Sequence, residues 1–291
     1  MPPPPRRPFP PSNGRNSGPT PSKKPAAEAS SRGWDPVAAW YDKLVGESGS
    51  DYHQNVILPA AVRILAPQAG ESIVDVCCGQ GVLAKSLLEF KIGRFLGVDA
   101  SPRLIEAAKT RHGKDPRVSW MVADVCKSGA WADGSHDAAA CLMAVHDVED
   151  AVAMFSNVSR ALKPGGRAVF VMMHPCFRIP KQTHWGWDPD QKIQFRRVDR
   201  YATPLEIPII THPGKSTGEQ TAFHHRPLSE LLTSLGKSGL AVVACDELYS
   251  HRRSQGTGPF SKAEHLAAAE FPLFLALKAL KVQLPSLITI P

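Results

Sequence analysis

Between residues 71 and 173 short apolar runs alternate with stretches of helical spacing, and this rhythm sets the expected fold. Ser72–Cys77 reads as a buried strand, followed by a glycine turn and a helix over Val82–Phe90. Phe95–Asp99 reads as a second strand, and Ser101-Pro102 caps a helix to about Arg111. Val118–Val122 and Asp137–Met143 are the next strands, Asp150–Leu162 a helix, Lys163-Pro164-Gly165-Gly166 a turn and Arg167–Met173 a fifth strand. Such alternation with short connections implies parallel strands with helices on both faces.

Upstream, Asp35-Pro36 opens a helix over Val37–Leu44, and a second helix runs from about Asp51 to Leu65, interrupted or restarted at Pro59. Residues 34–65 form an N-terminal helical cap on this reading. The stretch 177–222 breaks the rhythm with Trp185, Trp187 and five prolines; it reads as an insertion with strand content around Lys192–Val198. A helix over Leu228–Lys237, a strand over Ala241–Asp246 and a final strand over Phe271–Leu280 complete a domain expected to span 34–283, with a short tail at 284–291.

The formal charge of +7 is unevenly placed. Residues 1–33 carry a net +5 and ten of the 27 prolines, with hardly any large apolar residues, so they are expected to be a disordered basic tail. The remainder is nearly balanced, which argues against a nucleic-acid footprint on the folded part. No run of 18 apolar residues suggests a membrane span, and no apolar stretch follows the basic N-terminus to suggest a secretory signal. Six scattered cysteines lack zinc-ribbon or CxxC spacing; they read as reduced thiols of a cytoplasmic protein, and no metal site is expected.

The chemistry-bearing segment is Ile73-Val74-Asp75-Val76-Cys77-Cys78-Gly79-Gln80-Gly81. An apolar strand ends in an acid and a turn whose glycines allow positive φ and close approach of a ligand to the backbone. Eighteen residues after Gly81 a second strand ends in Asp99, where a carboxylate can accept both hydroxyls of a ribose. Twenty-five residues further lies Asp124, placed to meet an adenine edge.

These segments resemble motifs one to three of class I S-adenosylmethionine-dependent methyltransferases, and Leu162-Lys163-Pro164-Gly165-Gly166 resembles their turn before strand five. Cys77 stands where the first motif usually has glycine. The resemblance covers roughly 34–176 and, less specifically, 223–282. It implies a Rossmann-like seven-stranded sheet with its last strand antiparallel, with S-adenosylmethionine over the C-terminal ends of the first strands. Asp75, Cys77, Gly79, Gly81, Asp99, Ala100, Asp124, Val125, Met143 and Tyr41 are then the cofactor-binding candidates. Gly79-Gln80-Gly81-Val82-Leu83-Ala84 also satisfies the dinucleotide pattern GxGxxA, which keeps an NAD(P)-binding alternative open. Against it stand the single-domain length, Asp75, Asp124 and the Lys-Pro-Gly-Gly turn.

A narrower resemblance, to a bacterial group of class I methyltransferases of mostly unassigned acceptor, rests on four segments. These are His174-Pro175-Cys176-Phe177-Arg178-Ile179-Pro180, Trp185-Gly186-Trp187-Asp188, Arg196-Arg197-Val198-Asp199-Arg200-Tyr201 and His225-Arg226-Pro227-Leu228-Ser229. Methyl transfer needs an oriented acceptor and, for oxygen or nitrogen nucleophiles, removal of a proton. His174 and His146, at the ends of strands five and four, are the candidate bases, with Asp147 beside His146. Arg178, Trp185, His225 and Arg226 are candidate acceptor contacts. A small-molecule acceptor is favoured because the insertion can roof the site; RNA (tRNA or rRNA) is the alternative, through the basic tail and Arg196, Arg197 and Arg200.

Overall fold

The computed structural model describes residues 33–127, 129–210, 220–253 and 256–282. The tails expected before residue 33 and after residue 283 lie outside this set.

Seven strands hydrogen-bond in the order β3-β2-β1-β4-β5-β11-β10. They are β1 (Ser72–Val76), β2 (Arg94–Asp99), β3 (Val118–Val122), β4 (His136–Leu142), β5 (Leu162–Met173), β10 (Leu240–Leu248) and β11 (Phe274–Lys281). The five leading strands pair in parallel, whereas β11 runs antiparallel to both β5 and β10. The expected reversed last strand is therefore present, and it lies inside the sheet.

Period-two alternation distributes side chains to two buried layers. Val74 and Val76 of β1 and Phe170 and Met172 of β5 pack on one face against α5 (Ala151–Ala161) and α6 (Leu228–Lys237). Ile73 of β1 and Val169 and Val171 of β5 pack on the other face against α2 (Leu58–Leu65) and α3 (Val82–Leu88).

Before the sheet, α1 (Trp34–Val45) lies on α4 (Pro102–His112), held by an Arg111–Asp42 ion pair at 2.6 Å. Pro59 has no N–H to give the helix and its ring crowds the preceding turn. The helix answers with a wider turn over His53–Ile57, where the Leu58 N–H donates to the His53 carbonyl.

Three differences from the sequence reading have local causes. The expected turn at 163–166 is a bulge within β5: His136 pairs with Leu162 and Ala138 with Arg167, so four residues face one. Gly165 there has φ 74°, and Lys163 pairs with Asp137 at 2.5 Å. The described residues of the insertion hold two ribbons, β6 (Thr183–Asp188) with β7 (Ile193–Val198) and β8 (Leu205–Ile210) with β9 (Gln220–His225), so it ends three residues later than expected. Finally, α7 (Pro259–Glu270) occupies a stretch for which no element was expected, although Gly258-Pro259 is a helix-start signal.

Candidate active site

The C-terminal ends of β1, β2 and β4 converge, and the backbone there leaves its ordinary range. Cys77 has φ 58°, Gly79 55°, Gly81 79° and Met143 58°, so two residues with side chains are held in the left-handed region. At Gly81 a side chain would collide with a neighbour: its Cβ would lie 2.3 Å from the Trp120 ring. At Gly79 the nearest atom would be Tyr41 Cε1 at 3.6 Å, which leaves the loop open on the Tyr41 side.

Asp99 ties the first loop to the second. Its Oδ2 accepts the Gly79 N–H at 2.9 Å and its Oδ1 the Ser101 N–H at 2.8 Å. Ser101 Oγ in turn donates to Asp35 Oδ1 of α1 at 2.6 Å. Burial raises the Asp99 carboxyl, against the pull of these amides. Asp75 is raised well above the usual carboxylate range by burial and then by Asp99. Asp147, in the turn after β4, is raised well above it for the same two reasons. Tyr41 is raised by burial and by Asp147, Asp99 and Asp75, which places its hydroxyl in the field of all three acids. Three carboxyl groups and a phenol thus share one region of the fold.

Other candidates are less engaged. Ala100 is exposed beside Asp99, Val125 is buried under α5, and Asp124 caps its own turn by accepting the Cys126 N–H at 3.0 Å and pairing with Lys127 at 3.2 Å.

On the far side of Asp147 lies His146, its Nε2 4.0 Å from Asp147 Oδ1. The imidazole lies against Phe223 of β9 with ring centres 4.8 Å apart, and its buried Nδ1 has no hydrogen-bond partner. Burial, helped by the charges of Arg178 and Arg226, pushes its pKa down to about 3, so the ring is neutral. His146 also borders a cleft with Met173, Pro175, Phe223 and Leu231. It brings one unpartnered ring nitrogen to the site.

Most of the remaining candidates are engaged by partners within the fold. His174, expected to face the acceptor as a base, is 2% exposed and has both ring nitrogens occupied: Nδ1 accepts the Cys176 N–H at 3.2 Å and Nε2 reaches Glu247 Oε1 at 3.1 Å. Its carbonyl also accepts the Arg178 N–H at 2.8 Å, so His174 shapes the turn after β5. His225 is buried with Nε2 on the Tyr201 carbonyl at 2.7 Å. Arg226 spends its guanidinium on the carbonyls of Val148 at 2.8 Å and Glu149 at 2.5 Å, stapling β9 to the turn after β4. Trp185 packs edge-on against Phe271 at 5.5 Å and under Arg196 at 4.8 Å, which anchors the first ribbon. Arg178 alone of this group keeps its guanidinium uncommitted to any hydrogen bond or ion pair among the described residues.

Sequence reasoning missed Glu247, Phe223 and Phe274. Glu247 sits one residue beyond the expected strand end, where its pairing with His174 had no local signature, and neither phenylalanine lies in a motif.

Residues 74–170 match the family described as a methyltransferase domain. The 28% identical S-adenosylmethionine dependent methyltransferase from Mesorhizobium loti superposes with a TM-score of 0.58, covering 76% of this chain and 96% of that one. The sheet is that of class I methyltransferases. Among curated proteins, the 2-phytyl-1,4-naphtoquinone methyltransferase of Nostoc punctiforme is 32% identical over 143 residues, 47% of this chain and 61% of that protein. The malonyl-[acyl-carrier protein] O-methyltransferase of Hahella chejuensis is 34% identical over 134 residues, 46% of this chain and 45% of that protein. The chain thus spans 61% or less of the length of these two curated relatives.

The Mesorhizobium loti neighbour depends on S-adenosylmethionine, and the residues present here suit that cofactor. It carries a sulfonium and an ammonium, and Asp75, Asp99, Asp147 and Tyr41 form a buried group of acids whose raised pKa values would be relieved by positive charge. Each Asp99 oxygen already accepts one amide and retains a lone pair for a ribose hydroxyl. Among the described residues, no group of three His, Cys, Asp or Glu is placed to hold a metal ion, and no helix is long and apolar enough to cross a membrane.

Proposed function

We propose that this chain transfers the methyl group of S-adenosylmethionine to a small-molecule acceptor held between the turn after β4 and the β8–β9 ribbon. The observation that carries the reading is the division of the site by charge. Buried acids gather at the ends of β1, β2 and β4, and a neutral histidine with an unpartnered nitrogen stands next to them.

When bound, S-adenosylmethionine supplies a methyl on an electron-deficient sulfur. The chain's own residues then have separate tasks. Asp99 holds the ribose end, while Asp75 and Asp147 favour the positive charge. His146 accepts a hydrogen bond from the acceptor through its free Nδ1, orienting the nucleophilic atom. A neutral ring of such low basicity is a positioning group for an acceptor that ionises readily rather than a strong base. Phe223 and Met173 give the acceptor apolar walls.

The test is to incubate the protein with methyl-labelled S-adenosylmethionine and cell extract separated into small-molecule, RNA and protein fractions. Label in the small-molecule fraction is expected. Label in RNA would transfer the reading to RNA methylation, and failure to bind S-adenosylmethionine would end it.

A further inference from the structure

Each half-buried arginine of the described residues other than Arg178 has its guanidinium matched to oxygen. Arg111 meets Asp42, Arg117 meets Asp115 and Arg167 meets Glu71. Arg196 donates to the Phe177 carbonyl at 2.9 Å and Thr183 Oγ1 at 2.8 Å, and Arg226 holds the carbonyls already named. Arg178 differs. Its guanidinium carbon lies 5.8 Å from the centre of the Phe274 ring, and no carbonyl, hydroxyl or carboxylate among the described residues takes its five N–H donors.

Its surroundings deepen the contrast. Phe274 is 4% exposed, and Tyr52 packs edge-on against the same ring at 5.7 Å. Tyr52 shares the Phe274 ring with Arg178, and Arg196 stands close enough to feel the Arg178 charge as repulsion. The same charge reaches His146, which connects Arg178 electrostatically to the acceptor side of the site. Position agrees: Arg178 leaves the turn after β5, on the C-terminal edge of the sheet where ligands of open α/β folds sit. Withdrawing a guanidinium partly from water without an oxygen partner is costly, and a fold keeps such a group where a ligand completes it.

We infer that Arg178 is the anchor for an anionic oxygen group on the methyl acceptor, so that the acceptor is a small organic acid whose apolar part lies along Phe223. This rests on the methyl-transfer reading above and adds the substrate class to it. Arg178 supplies a planar fork for a carboxylate, with the Phe274 face beneath it as support. The site then has two electrostatic halves: acids for the cationic cofactor and an arginine for the anionic acceptor.

The experiment uses the full chain and two variants, Arg178→Lys and Arg178→Gln. Calorimetric titration with S-adenosylmethionine comes first: equal affinity in all three shows that the cofactor site is intact, and no binding in any of them removes the methyl-transfer reading itself. Each protein is then saturated with S-adenosylhomocysteine and titrated with 4-hydroxybenzoate and octanoate, and with the neutral amides of both. The wild type is expected to bind at least one acid, and its amide tenfold or more weakly. Arg178→Gln should lose about ten- to a hundredfold in affinity for the acid, and Arg178→Lys should retain part of it. Equal binding of acid and amide, no binding of either acid, or an acid affinity unchanged in Arg178→Gln would each overturn the assignment while leaving the cofactor result standing.

Discussion

Asp99 Oδ2 accepts the Gly79 N–H at 2.9 Å, a bond that spans 20 residues and locks the first loop against the end of β2. The carboxylate that is to hold a ribose is thus also part of the frame that shapes the loop. Asp99→Ala should lower S-adenosylmethionine affinity by roughly ten- to a thousandfold, through hydrogen bonds to a charged group of about 1.5–3 kcal/mol each. It should also destabilise the fold by about 1–3 kcal/mol, since the Gly79 and Ser101 amides lose their acceptor. Calorimetry and thermal melting on the same preparation separate the two effects, and unchanged affinity would remove Asp99 from the site.

The acids around the cofactor position set the sign of a pH effect. Asp75, Asp99 and Asp147 all have raised pKa values. A cationic ligand binds their ionised form, so below those pKa values a proton must leave first. S-adenosylmethionine affinity should therefore rise with pH until the acids have ionised and then level off. Binding should release protons, read as a dependence of the calorimetric enthalpy on buffer ionisation. S-adenosylhomocysteine lacks the sulfonium charge and should show a smaller slope; identical slopes for the two ligands would show that the acids do not sense that charge.

His174 and His146 should respond differently to replacement. With both ring nitrogens bonded inside the fold, His174→Ala should cost about 1–3 kcal/mol of stability and leave cofactor affinity nearly intact. His146, with its pKa near 3, should show no titration in proton NMR between pH 5 and 8, its resonance being assigned by comparison with His146→Ala. A His174→Ala protein of normal melting temperature that loses an ionisation from its turnover profile would restore His174 as a base.

Much of this was open to a reader of the chain, because buried parallel strands leave short apolar runs that end in the residues they present. Asp75 and Asp99 stand at strand ends for that reason. The partners of His174 and Arg226 were not legible. Which of two arginines meets backbone carbonyls and which is left over depends on how β9 lies against the turn after β4, and no local spacing encodes that. Helix α7 escaped for another reason: its buried residues are Ser261, Ala263 and Ala267, too few and too small to leave an apolar stripe.

Two of the three positive-φ positions of the first loop make a paired test. Cys77 already occupies the left-handed region at φ 58°, so Cys77→Gly relieves about 1–2 kcal/mol of strain. It adds about 0.5–1 kcal/mol of chain entropy in the unfolded state and should leave the melting temperature nearly unchanged. Gly81→Ala should cost about 1–3 kcal/mol, because its new methyl would lie 2.3 Å from the Trp120 ring. Thermal melting of both variants decides it; a Gly81→Ala protein as stable as the wild type would mean that Trp120 moves freely.

The reversed strand has a consequence for the order in which the protein can be made. β11 is the last of the described strands, yet it takes its place between β5 and β10, pairing Phe274 with Met173 on one side and with Leu248 on the other. Until the ribosome has released it, β5 has an open edge and β10 has nothing to join. Residues 74–170, with the loops for the cofactor, are synthesised well before this closure, whereas the Phe274 support beneath Arg178 arrives with the final strand. Nascent chains halted short of Phe274 would display a sticky sheet margin, and the acceptor half of the site would be the last part to exist.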